Sequence, residues 1–252
     1  MNPENVTAVV VGGSRGLGRG IVEALRSRRM RVIVVAREAS QLASLAAELP
    51  GIETIAADAS EEIAAARVRM TVQPDVLVLC AGASPILRPL HLHTWETFSI
   101  NWEVDAKMAF VWLRDQLLLP ARPGAHVVVV SSGAAERGSP LSGGYAGAKR
   151  TQWFLAEYAA AEAKRLGVDL RMHCLLPQLN PSTELGKAAI AAYAERAGIQ
   201  PGDFEQRFGP PLTPSILGQA VLSLVTEPEK WPDLAYRVSG SGLAALRETG
   251  HN

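Results

Sequence analysis

Tyr145 and Lys149 stand four residues apart at the start of a helical pattern, Gly144–Leu166. That spacing puts a phenol and an ammonium on one helix face. The chemistry such a pair suits is proton transfer to and from an oxygen. A free phenol titrates near 10, so bringing one to neutrality takes about 4 kcal/mol of preference for the phenolate. An ammonium about 4 Å away supplies on the order of 4 kcal/mol at an effective dielectric of 20. Tyr-x-x-x-Lys alone is unspecific, because a tyrosine packed on a lysine stem has the same spacing. Ser132 adds specificity. It lies 13 residues before Tyr145, at the end of the apolar run Ala125–Ser131, and strand ends are where doubly wound sheets place their ligands. Its hydroxyl suits holding a carbonyl oxygen in line.

A second cluster suits phosphate. The run Val6–Val11 ends in Gly12-Gly13-Ser14-Arg15-Gly16-Leu17-Gly18, and a helical pattern, Gly16–Arg28, follows. Glycines permit the turn and let a pyrophosphate approach the backbone, while the helix N-terminus offers free N–H groups. About 20 residues on, an NAD site usually carries a carboxylate for the ribose 2′-hydroxyl. Here the second strand closes Val34-Val35-Ala36-Arg37. With Arg15, Arg37 would make a fork for a 2′-phosphate, so the cofactor expected is NADP(H). As an ordinary surface charge, Arg37 would carry no such meaning.

These residues need a frame. Strand patterns at Val6–Val11, Arg31–Ala36, Ile52–Ala56, Asp75–Leu79, Ala125–Ser131, Val168–Leu176 and Leu234–Val238 alternate with helical ones at Gly16–Arg28, Ala39–Leu49, Glu61–Val72, Thr94–Leu119, Gly144–Leu166, Glu184–Ala197 and Pro214–Val225. The alternation implies βαβ units and a parallel sheet covered on both faces. The expectation is an α/β chain: one doubly wound Rossmann domain over residues 1–252, with a central parallel sheet of about seven strands and helices on both faces. The proline-broken segment 178–214, with Tyr193, Phe204 and Phe208, reads as a lid over a cleft or as ordinary packing.

The spacing Gly-x-x-x-Gly-x-Gly, with Tyr-x-x-x-Lys and its upstream serine, resembles the short-chain dehydrogenase/reductase family over most of 6–177. Val11 stands where that family usually has threonine. The resemblance implies a catalytic tetrad of Asn101, Ser132, Tyr145 and Lys149, in which Lys149 also grips the nicotinamide ribose and Asn101 holds a water. It implies cofactor contacts from Gly12, Ser14, Arg15, Gly16, Leu17, Gly18, Arg37, Asp58, Ala81, Gly82, Asn101, Tyr145, Lys149, Pro177 and Gln178, with Asp58 at the adenine and Thr183 near the pyridine. Asp58 also suits an N-cap for the segment from Ser60. Two motifs depart: Cys80-Ala81-Gly82 replaces Asn-Ala-Gly, and Pro177-Gln178 replaces Pro-Gly. Gln178 is expected to narrow the site or to contact the carboxamide or the substrate. Trp112, Trp153, Phe154 and Tyr158 on the two long helices read as exposed, or for some of them as core packing against the sheet; the resemblance further implies a homodimer or homotetramer through those helices.

The function expected is NADPH-dependent hydride transfer between nicotinamide and the carbonyl or alcohol of a small, mostly apolar molecule, a ketoreductase. Ala83, Pro85, Ala134, Leu141 and Leu179 are the apolar pocket candidates. The alternatives are an imine reductase on the same site and a non-catalytic NADPH-binding or sensing protein. Composition narrows the rest. The chain has 252 residues, 48% hydrophobic and 20% charged, and 25 basic against 25 acidic residues leave no net charge. Nothing there supports a nucleic-acid or membrane-surface partner. No apolar run reaches the roughly 20 residues of a spanning helix, and no signal peptide is read, so a cytoplasmic location is expected. Cys80 and Cys174 read as small hydrophobes rather than a disulfide. The five histidines form no metal-ligand grouping, so no metal is expected.

Overall fold

A computed structural model describes residues 3–119 and 122–246. Its strands are β1 (Thr7–Val11), β2 (Arg31–Ala36), β3 (Glu53–Ala56), β4 (Val76–Leu79), β5 (Ala125–Val130), β6 (Leu170–Pro177), β7 (Ala235–Ser239) and β8 (Gly242–Ala245). They form one sheet in the order β3-β2-β1-β4-β5-β6-β7-β8. The first seven are parallel, as the alternation requires. β8 pairs antiparallel with β7 through a tight turn and covers its edge. The sequence pattern did not show this eighth strand. Gly-Leu-Ala-Ala lacks the β-branched residues that mark the others.

The central strands are β-branched runs buried on both faces, and their side chains alternate between two cores. Ala8, Val10, Val32 and Val34 meet Ile21, Leu25, Leu217 and Val221 on one side. Val9, Val11, Ile33 and Val35 meet Met108, Trp112 and Ala156 on the other. Helices α1 (Gly16–Ser27) and α10 (Pro214–Thr226) therefore cover the first face. They cross closely. A Cβ on Gly218 would lie 2.2 Å from the Gly20 carbonyl oxygen.

The other helices are α2 (Ala39–Glu48), α3 (Glu62–Thr71), α4 (Trp95–Asn101), α5 (Lys107–Leu118), α6 (Ala134–Arg137), α7 (Tyr145–Leu166), α8 (Glu184–Ala197) and α9 (Pro201–Glu205). The expected helix Thr94–Leu119 is one rod in three parts: α4, a π-helical turn at Trp102–Ala106, then α5. Thr94 caps it, accepting from the Thr97 backbone N–H. Trp112 was expected to be exposed, but it is 1% exposed and donates from Nε1 to the Ala59 carbonyl. Trp153 is half-buried under the Arg150 guanidinium. Phe110, Phe154, Tyr158 and Leu166 remain exposed on the outer faces of α5 and α7. Among the described residues no helix is long and apolar enough to cross a membrane.

Candidate active site

Parallel strands all end at one edge of the sheet, and helices start there. At that edge β1 turns through Gly12, with φ +87°, and Gly16, with φ +56°, a region costly for any side chain. The turn is also crowded. A Cβ on Gly12 would lie 2.4 Å from the Ala81 amide nitrogen, and one on Gly18 would lie 2.1 Å from the Gly12 carbonyl oxygen. Gly12 donates to the Val35 carbonyl at 2.7 Å, tying the turn to β2. Arg15 occupies the N-cap of α1 in extended conformation without a side-chain cap. The first-turn N–H groups of α1 thus stay free for an anion. Leu17 packs on the core beneath. Ser14 donates to the Gln41 side chain at 3.2 Å. This bare, glycine-lined cradle fits a dinucleotide pyrophosphate.

Arg37 is exposed just beyond β2. Its charge reaches Asp58, whose carboxyl is held below its ordinary range chiefly by the Ser60 backbone N–H. Asp58 does not cap a helix. Its Oδ1 accepts from Ser60 N and Oγ at 2.9 and 2.8 Å, closing a turn, and α3 starts at Glu62. Arg15 lies 3.8 Å from Glu184 of α8, with both side chains exposed.

The residues expected to handle the proton sit on three elements: Ser132 just after β5, Asn101 at the end of α4, and Tyr145 and Lys149 in α7. Ser131 Oγ donates to the Lys149 carbonyl at 2.7 Å, locking the end of β5 to the first turns of α7. Ser132 follows, and its Oγ accepts from the Ala134 N–H at 3.2 Å. The Pro177 carbonyl at the end of β6 accepts from Gly133 N–H at 2.8 Å. Tyr145 opens α7, and Lys149 Nζ stands 5.6 Å from the centre of its ring.

Asp105, fully buried in the π turn, was not singled out from sequence. Its Oδ2 lies 3.2 Å from Lys149 Nζ, and its Oδ1 accepts from the Ala83 N–H at 2.7 Å. Lys149 also donates to Gln152 Oε1 at 3.0 Å, and Gln152 donates onward to the Asp105 carbonyl at 2.9 Å. Asn101 donates to the Ala83 carbonyl at 2.8 Å and to Asp105 Oδ2 at 3.4 Å. Burial opposes the Lys149 charge, but Asp105, helped by Tyr145 and Cys80, outweighs it. The ammonium is held above its ordinary range. A carboxylate inside a long helical pattern reads as a solvated face. Only its place four residues after Asn101, on the same helix face, hinted otherwise.

Cys80 borders this cluster, and burial pushes its thiol up to about 11, while burial pushes Cys174 higher still. Neither is a ready thiolate at neutral pH. Ala81 and Gly82 follow Cys80 directly above the glycine turn. A Cβ on Gly82 would press on the Asp105 carboxylate at 3.0 Å. Among the described residues no cluster of histidine, cysteine or carboxylate could hold a metal.

Gln178 makes contacts that the sequence did not show. Its side-chain amide donates to the Phe208 and Pro210 carbonyls at 3.3 and 3.1 Å, and its backbone N–H to the Val238 carbonyl at 2.8 Å. Its side-chain amide nitrogen therefore faces the segment after α9. Thr183 caps α8, accepting from Gly186 N–H at 3.0 Å, and a Cβ on Gly16 would meet its methyl at 3.9 Å. Tyr193 of α8 stacks on Phe204, which meets Phe208, and its hydroxyl bonds the Ser139 hydroxyl. Leu141 is buried.

The family model for short chain dehydrogenases matches residues 6–190. L-xylulose reductase of Bos taurus is 32% identical over 187 residues, 72% of this chain and 74% of that protein. D-erythrulose reductase of Gallus gallus is 31% identical over 134 residues, 52% of this chain and 54% of that protein. Carbonyl reductase (NADPH) 2 of Sus scrofa is 33% identical over 110 residues, 44% of this chain and 45% of that protein. The crystal structure of a levodione reductase superposes with a TM-score of 0.79, covering 94% of this chain and 96% of that one at 20% identity, a likeness of fold. With the glycine turn, the sheet order and a family match over most of its length, the chain belongs to the short-chain dehydrogenase family of oxidoreductases.

Proposed function

We propose that this protein is an NADPH-dependent reductase of small, mostly apolar carbonyl compounds. The observation that carries the reading is the buried Lys149 ammonium 5.6 Å from the Tyr145 ring, beside the strand end that bears Ser132. Tyr145 gives its proton to the carbonyl oxygen, and Ser132 holds that oxygen in line. Lys149 stabilises the phenolate left behind. Asn101 braces the Ala83 backbone and the Asp105 carboxylate on the far side of the lysine.

When bound, the nicotinamide supplies the hydride. Gly12, Ser14, Gly16, Leu17 and Gly18 would line the pyrophosphate site at the N-terminus of α1. Arg37 and Arg15 would pair with a 2′-phosphate, since no carboxylate stands at Ala36 to take a 2′-hydroxyl. Asp58, Ala81 and Gly82 would border the adenosine half. Lys149, Pro177 and Gln178 would border the nicotinamide half. The porcine relative is named as an NADPH enzyme, which supports the same choice.

Segment 178–214 would serve as the lid, with Tyr193, Phe204 and Phe208 as its aromatic lining. The relatives named for xylulose and erythrulose reduction support a ketone-type carbonyl. Exposed Phe110, Phe154 and Tyr158 on α5 and α7 support self-association through those helices.

The test is NADPH oxidation across a panel of aliphatic and aromatic ketones, aldehydes, diketones, ketoses and cyclic imines. The proposal expects turnover of ketones or aldehydes. Turnover of imines alone, or tight NADPH binding with no turnover of any carbonyl, contradicts it.

A further inference from the structure

An ammonium buried beside a phenol is unstable on its own, because removal from water favours its neutral form. Here a carboxylate meets it. Asp105 is 0% exposed, and Lys149 is 6% exposed. Asp105 is held from three sides. The Ala83 N–H donates to one oxygen at 2.7 Å, the Asn101 amide approaches the other at 3.4 Å, and Gly82 leaves the space the carboxylate fills. The π-helical turn Trp102–Ala106 turns this side chain inward, and such turns are frequent at functional sites. Lys149 has three N–H bonds. Asp105 and Gln152 engage two of them, and one remains.

We infer that Asp105 is a positioning residue for the reductase proposed above: it supplies the fixed counter-charge that keeps Lys149 an ammonium and points it toward the Tyr145 side of the cluster. The inference rests on that functional reading only for its effect on rate. The lysine's charge state is a property of the free protein. The titratable groups that interact with Lys149 are Tyr145 from its own helix, Asp105 from the π turn, Cys80 from the end of β4 and Cys174 from β6. Asp105 is the one carboxylate among them. Removing that carboxylate leaves burial opposed only by the smaller effects of Tyr145 and Cys80, so the ammonium loses its proton at lower pH.

The test uses Asp105→Asn, which keeps the shape and the acceptor for Ala83. The ¹³Cε resonance of Lys149, assigned by its loss in Lys149→Arg, is titrated in the cofactor-free protein. In the wild type it should titrate above the ordinary lysine range. In Asp105→Asn it should titrate lower by about one pH unit or more. NADPH oxidation by the variant should stay within a few-fold of wild type near pH 6 and fall as pH rises, at a pH where wild type still works. Equal Lys149 titration in a folded variant would make Asp105 merely structural and overturn the inference. If the variant does not fold, the wild-type titration decides: a midpoint at or below the ordinary lysine range overturns it. The expected titrations with no wild-type turnover of any carbonyl would sink the functional reading and leave the charge-holding role standing.

Discussion

The Gln178 side-chain amide donates to the Pro210 carbonyl at 3.1 Å, joining the loop after β6 to the segment that leads into α10. With its second bond to Phe208, it pins the far end of the proposed lid from below. Gln178→Gly restores the residue that the family resemblance leads one to expect there and removes both bonds. Faster limited proteolysis between α9 and α10 is expected, with KM for the carbonyl raised several-fold. Unchanged proteolysis would show that the lid is held elsewhere.

Arg37 stands beyond β2 where an NAD site would carry an acid. Charge-assisted bonds to a phosphate are worth about 1.5–3 kcal/mol, so Arg37→Asp should weaken NADPH about 10- to 100-fold. NADH should bind as well as before or better. Fluorescence titration of both cofactors on both proteins checks this. Equal NADPH affinity in the variant would remove Arg37 from the site.

His126 and His173 stack 5.6 Å apart in the interior, and burial lowers each to about 4. Both are neutral in the folded protein at neutral pH. Their unfolded value is near 6.5, so the unfolded chain takes up protons first as pH falls. Stability should therefore be lost between about pH 6.5 and 4, by an order of 3 kcal/mol for each histidine. Denaturant unfolding at pH 7 and pH 4.5 measures the loss, and His126→Gln should shrink it.

Much of this was legible because local rules and the global fold agree. The glycine turn, the β-branched strands and the helix Glu184–Ala197 carry their own signals, and the last lies where the sequence places it. The long helix did not announce its π turn, since nothing in Trp-Glu-Val-Asp-Ala differs from α-helical composition. Asp105 was missed for the same reason: its burial comes from packing against Gly82 and Lys149, which are distant in sequence. Trp112 was misplaced because a helix's apolar stripe does not say which side meets the sheet. The hold of Gln178 on the chain near Phe208 was not legible because that segment lies some 30 residues on.

Everything proposed for the chemistry turns on Tyr145 as the proton donor. NADPH oxidation by wild type and Tyr145→Phe, with NADPH binding measured on the same samples, tests it most directly. Turnover should fall by about 10²- to 10⁴-fold in the variant while NADPH binds with near-native affinity. Turnover within a few-fold of wild type would contradict it.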